Sequence, residues 1–191
     1  MKKKLLSIIF VSLILSSCKK ADTNSNNNNT GYYSKQLNQN ITIGTGDVSA
    51  SAKINIGNEF IGVSIFYNST DSYGFYINDP DFGNSKVYLL GTSDGLNVYN
   101  TNDIINNSLY LWMSVSIFGY EQTTSGIEKN TIPPGSGDKY IGFKISDYSS
   151  STVKNYFGWL LLNYSTDKKT ITIKEYAYNK TANEQIKVGQ K

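Results

Sequence analysis

The chain has 191 residues, with 18 lysines and 15 acidic residues but no arginine and no histidine. Without histidine it cannot build a Ser-His-Asp or Cys-His nucleophile, a His-ligated metal site or the usual proton shuttle near neutral pH, and without arginine it cannot grip phosphate or carboxylate with a guanidinium fork. Aromatic residues make up 13% of the chain, tyrosine leading with 15 copies, and with Ile, Thr and Val they favour strands over helices.

The chain opens on Met1-Lys2-Lys3-Lys4, runs through apolar residues 5–15 and reaches Leu15-Ser16-Ser17-Cys18. A charged start, a short apolar centre and small residues at the cut make a secretory signal over residues 1–17. The apolar run has 11 residues, whereas a helix needs about 20 to cross a bilayer. Leu15-Ser16-Ser17-Cys18 resembles the lipobox of bacterial lipoproteins. The resemblance implies cleavage before Cys18 and lipid on its sulfur and new amino end, so that the membrane is a partner. Cys18 is the only cysteine, which leaves no disulfide within the chain. Of the 18 lysines, Lys2, Lys3 and Lys4 go with the signal, and the remaining 15 balance 15 carboxylates. No basic excess is left to attract nucleic acid.

Residues 18–35 read as a lipidated tether. Its stretch 23–31 (TNSNNNNTG) has nothing apolar to bury, so a disordered leash spanning roughly 20–25 Å is expected. Lys19-Lys20-Ala21-Asp22 resembles signals that export lipoproteins to the outer face of some Gram-negative bacteria, and an outer-membrane, surface-exposed location follows as an expectation. Residues 36–191 are long enough for one domain with a real core.

Along that domain short strands alternate with turn signals. Strands are expected at 41–43, 52–57 and 60–67, where Ile61, Val63, Ile65 and Tyr67 share a face, and at 73–77, 86–90 and 96–99. Residues 102–108 suggest one helical turn. Residues 109–118 alternate most cleanly, with Leu109, Leu111, Met113, Val115 and Ile117 on one side and Tyr110, Trp112, Ser114, Ser116 and Phe118 on the other. A loop is expected over 120–138, then strands at 139–145, 156–164 (apolar on both faces, as a covered central strand should be) and 169–178. The polar tail 179–191 is expected to lie along an edge. About ten strands without a helical period give an all-β chain, expected to be an antiparallel β-sandwich of jelly-roll type, with a closed β-barrel as second choice.

The strands containing Tyr156-Phe157-Gly158-Trp159 and Ile171-Thr172-Ile173, the latter running on to Ala177-Tyr178, and the closing Gly189-Gln190, resemble the C-terminal end of a diverse set of secreted bacterial β-sandwich proteins of undefined activity. The resemblance covers the C-terminal quarter to third of the chain and implies a fold and secretion, with no functional residue carried over.

Four residues make a candidate ligand platform. Tyr110 and Trp112 oppose the aliphatic side of their strand, and Tyr140 and Lys144 occupy the matching face of a later one. Flat aromatics stack on sugar rings while Lys, Ser and Asn supply hydrogen bonds. The competing arrangement, which the sequence favours, has a loop or the C-terminal tail covering these rings as a second small core. Trp159 reads as core. No metal site is expected; Asn78, Asp79, Asp81 and Asn84 cluster oxygen ligands suited to calcium but lack EF-hand spacing, and a plain Asx-rich turn is the favoured reading. Two-carboxylate glycosidase chemistry could draw on Glu59, Glu121, Glu128 and Glu175. Glu175 has the inward parity of Ile171 and Ile173 unless a β-bulge at Lys174-Glu175 turns it outward, and the bulge is favoured. Ser151-Thr152-Val153-Lys154 fits a bare Ser-x-x-Lys spacing with nothing else of such an enzyme around it.

The sequence therefore leads to an expectation: a lipid-anchored envelope protein without catalysis or cofactor, presenting a β-sandwich binding module to a polysaccharide. The alternatives are a structural or adhesive lipoprotein that engages other envelope proteins, the glycosidase, and an immune-exposed coat protein with no specific ligand.

Overall fold

The computed structural model describes residues 31–69, 72–78, 86–92, 94–108, 112–113 and 117–191. Fifteen strands run through them and no helix does. In chain order they are β1 (Tyr32–Thr42), β2 (Ser49–Ile56), β3 (Glu59–Ser69), β4 (Ser72–Asn78), β5 (Val87–Thr92), β6 (Gly95–Leu96), β7 (Val98–Tyr99) and β8 (Ile104–Ile105). There follow β9 (Trp112–Met113), β10 (Ile117–Thr123), β11 (Gly126–Asn130), β12 (Asp138–Asp147), β13 (Lys154–Tyr164), β14 (Thr170–Asn179) and β15 (Ile186–Lys187).

Two antiparallel sheets face each other. The large one runs β1-β14-β13-β12-β5-β6, with β7 added beside β12 and β9 beside β5. The small one runs β11-β10-β4-β3-β2. They keep separate edges and do not close into a barrel, so the protein is an all-β sandwich. Alternation supplies the main core. From the small sheet come Ile54, Ile56, Ile61, Val63, Ile65, Phe75 and Ile77; from the large sheet come Leu89, Ile141, Phe143, Leu160, Leu162, Ile171, Ile173 and Tyr176. Each fully buried aliphatic or aromatic chain of this kind contributes about 1.5–3 kcal/mol of transfer free energy.

Strand β13 sits between β12 and β14 and is covered on both faces, as its two-sided apolar sequence requires. Its outward residues Phe157 and Trp159 belong to a second core with Leu90, Ile105, Ala177, Ile186 and Val188. The chain after β14 folds back to build it. β15 pairs with β8 as a two-stranded ribbon, Val188 N–H donates to Asp103 O at 2.9 Å, and Asn179 Nδ2 donates to Gln185 O at 2.8 Å. The tail thus lies across the outer face of the large sheet and not along an edge. Ile186 and Val188, two apolar residues in a polar segment, find the uncovered Phe157 and Trp159.

Three further expectations change. Residues 120–138 contain a hairpin, β10 into β11, in place of a loop. Its second strand is polar because β11 is an edge and needs no apolar alternation. The expected helical turn at 102–108 is a turn followed by β8. The described residues of 109–118 divide between the sheets: β9 pairs with β5 in the large sheet, and β10 pairs with β4 in the small one. Period-two patterning records which face is apolar but not which sheet a residue joins. β1 begins at Tyr32, four residues before the boundary read from the sequence.

The bulge at Lys174-Glu175 is present. Leu161 aligns with Glu175 and Leu162 with Ile173, which leaves Lys174 as the extra residue. Glu175 therefore points to the outer face of the large sheet. There its carboxylate, on a residue 6% exposed, meets Lys191 Nζ at 2.5 Å.

Candidate functional site

Register places the platform residues. Lys144 lies opposite Phe157 on β13 and Tyr88 on β5, while Trp112 lies opposite Leu90. Cross-strand partners share a face, so Tyr88, Leu90, Trp112, Lys144 and Phe157 all stand on the outer side of the large sheet. Trp112 and Lys144 come together: Lys144 Nζ sits 5.1 Å from the Trp112 ring centroid and 5.0 Å from that of Tyr88. The Trp112 ring leans on Phe157 at 5.7 Å between centroids. The Tyr88 hydroxyl meets that of Tyr148 at 2.7 Å, and Tyr148 is 52% exposed. The result is a shelf of two half-buried rings, Tyr88 and Trp112, backed by the buried Phe157, with an ammonium on top. Partial burial pushes the Lys144 ammonium pKa below the usual lysine range, the Tyr148 phenol acting weakly the other way. Among the described residues no carboxylate forms an ion pair with it.

Tyr140 is not part of that shelf. It lies on the far side of Gly142 along β12, pairs with Leu161 and Tyr99, and packs edge-on against Trp159 at 5.3 Å and 87°. The tail ribbon covers that half of the face, so the expected platform divides. The Tyr140 half is absorbed into the second core and the Trp112–Lys144 half stays partly open. Tyr110 and Cys18 lie outside the described residues, as do Asp79, Asp81 and Asn84 of the calcium candidate; Asn78 is at the end of β4. Among the described residues no group of three His, Cys, Asp or Glu side chains could hold a metal.

The four glutamates considered for two-carboxylate chemistry lie on β3, β10, β11 and β14. Glu175 is tied to Lys191. Glu59 lines a cavity. That cavity, about 420 Å³, opens at one end of the sandwich, with the β2–β3 turn (Gly57, Asn58) as its roof. Lys86, Asp147, Tyr156, Tyr178 and Lys180 of the large sheet and its flanks supply the rest. Lys86 Nζ pairs with Glu59 at 3.4 Å. The Ser149 N–H, at 2.8 Å, is foremost in holding the Asp147 carboxyl below the usual carboxylate range. An ionised Asp147 suits charge recognition and not proton donation.

Sequence reasoning missed Tyr88, Tyr148 and the whole cavity. Tyr88 shares outward parity with Lys144 only once β5 is known to pair with β12, and that pairing leaves no mark in either strand alone. Comparison with protein-family models, with curated proteins and with solved structures finds no match.

Proposed function

We propose that the protein is a lipid-anchored binding module of the cell envelope, without catalysis, held at the outer membrane of a Gram-negative bacterium through Cys18, and that its ligand is a polysaccharide. The observation that carries the ligand class is Lys144 poised over the rings of Trp112 and Tyr88. Flat apolar surface beside an ammonium that lacks a carboxylate partner among the described residues is what a sugar ring with its hydroxyl oxygens can use. The test is a glycan array probed with the parent and with Tyr88→Ala and Lys144→Ala variants. Both variants are expected to lose the parent's hits; variants that bind as well as the parent would remove the reading. The anchor is tested separately: labelled palmitate enters the parent and not Cys18→Ser, which leaves the membrane fraction.

A second reading, docking to another envelope protein, is favoured by the outer face of the small sheet. Phe118 packs against Tyr76 at 5.3 Å and Phe66 at 6.5 Å, and these half-buried rings belong to neither core. Cross-linking in intact cells through a photoreactive residue at Phe118 would capture such a partner.

A further inference from the structure

The aromatic shelf carries a cation that its own sheet does not neutralise. Elsewhere on the outer face of the large sheet, carboxylates and lysines are matched. Asp138, two residues before Tyr140 on β12, is held by Lys174 Nζ at 2.7 Å, and Glu175 is held by Lys191. Asp103, on the ribbon that covers the Trp159 half, accepts from the Asn100 N–H at 2.6 Å. Asp147, at the end of β12, lies opposite Lys154 in register and accepts from the Ser149 N–H. Lys144 has no such counterpart. Its Nζ stands 5.1 Å from the Trp112 ring centroid and 5.0 Å from that of Tyr88. The titratable group acting on it is a phenol, that of Tyr148, and not a carboxylate. Among the described residues it forms no ion pair.

This position restricts what the shelf can accept. Lys144 lies mid-strand, opposite Phe157 on one side and Tyr88 on the other, so its stem cannot leave the middle of the shelf. A sugar ring laid against Trp112 and Tyr88 therefore meets the ammonium and displaces water from it. Stacking on one ring returns little beside the cost of leaving a dehydrated ammonium unpaired. Hydroxyl oxygens replace the lost water only in part, whereas an anionic group replaces it with a charge-assisted hydrogen bond, about twice as strong as a neutral one. A cationic ligand would meet a like charge. We propose that the shelf selects acidic polysaccharides, the sugar ring lying against Trp112 and Tyr88 and its anionic group on Lys144. This rests on the reading of the shelf as a glycan site and adds the charge of the ligand.

The test is a glycan array that carries uronic acid oligosaccharides beside the same oligosaccharides with their carboxyls reduced to alcohols, and sulfated oligosaccharides beside their desulfated forms. The acidic forms are expected to bind the purified protein, and removing the acid is expected to weaken binding about tenfold, as loss of one hydrogen bond to a charged group implies. The acidic set that binds more tightly identifies the anionic group as carboxylate or sulfate. Lys144→Gln should level the acidic and neutral forms, Lys144→Arg should keep the preference, and Tyr88→Ala should weaken both forms together. Circular dichroism establishes that the variants fold. Neutral forms bound as well as acidic ones, or a preference that survives Lys144→Gln, would overturn the acidic assignment and leave the glycan reading standing. Absence of binding to every glycan on the array would remove both.

Discussion

The indole nitrogen of Trp159 donates to the carbonyl of Gln190 at 3.1 Å, although 31 residues separate them. A buried tryptophan must satisfy its one polar atom, and here the returning tail supplies the acceptor. The tail is thereby part of the core and not a trailing end.

Ile186→Ala measures what the tail contributes. Ile186 is fully buried in the second core, and truncating such a residue leaves a cavity that costs about 2–5 kcal/mol. Urea denaturation followed by tryptophan fluorescence should show a lower midpoint with an unchanged slope. A loss below about 0.5 kcal/mol, the range of ordinary surface changes, would mean that the tail is not packed as described.

The Glu175–Lys191 pair should be asymmetric. Lys191→Ala leaves a buried carboxylate without its cation, whereas Glu175→Gln removes the charge and keeps much of the shape. The first should cost about 1–3 kcal/mol, the second less, and adding Glu175→Gln to Lys191→Ala should recover part of the loss. Denaturation of the two single variants and the double variant at neutral pH checks the order, and additive losses would show that the residues do not interact.

Gly158→Ala tests the Tyr-Phe-Gly-Trp segment. A Cβ at Gly158 would strike the Phe143 ring and lie 2.6 Å from the Ala177 carbonyl oxygen, which is backbone and cannot swing away. The expected cost is about 1–3 kcal/mol or more, read as a lower melting temperature. A parent-like melting temperature would show that the ring does not need the bare glycine.

Alkaline pH should unfold the protein through its tyrosines. Burial, reinforced by the neighbouring Tyr73 phenol, pushes Tyr120 up from 10.0 to about 12, and burial raises Tyr164 and Tyr176 further. Tyr73, which stacks on Tyr120 at 5.6 Å, is shifted downward by the hydrogen bond from that partner. For the raised groups the unfolded chain gives up its protons first. Their contribution to stability is therefore intact below about pH 10 and declines as pH rises from 10 through 12. Phenolate absorbance of the buried set should appear together with loss of sheet circular dichroism. Full ionisation of all 15 tyrosines near pH 10 with the fold intact would contradict the burial.

How much was legible can be judged residue by residue. Ile61, Val63 and Ile65 announced β3 and its inward face because the small sheet has one face turned from the core and alternation there is clean. Glu175 announced the bulge because a charge at an inward position conflicts with Ile171 and Ile173. The β10–β11 hairpin was hidden because Glu121, Gln122 and Glu128 form a polar edge without a hydrophobic period. The tail ribbon was hidden because Ile186 and Val188 are too few to stand out against Asn183, Glu184 and Gln185. Of the candidate platform, the side assignment of Trp112 and Lys144 was readable from parity. Their contact with Tyr88, and the separation of Tyr140 from them, depend on long-range pairing that no local pattern encodes.

The Gly31 carbonyl accepts from the Lys180 N–H at 2.7 Å, so the chain enters its first strand beside the last residues of β14. If Cys18 carries lipid, this pole of the domain is the one moored to the bilayer, and the opposite pole, where Asp167 and Lys168 turn the chain between β13 and β14, is the one held outward. Antibodies or proteases added to whole cells would then meet Lys168 first, and the cavity lined by Glu59 and Lys180 would open toward the narrow gap above the lipid headgroups.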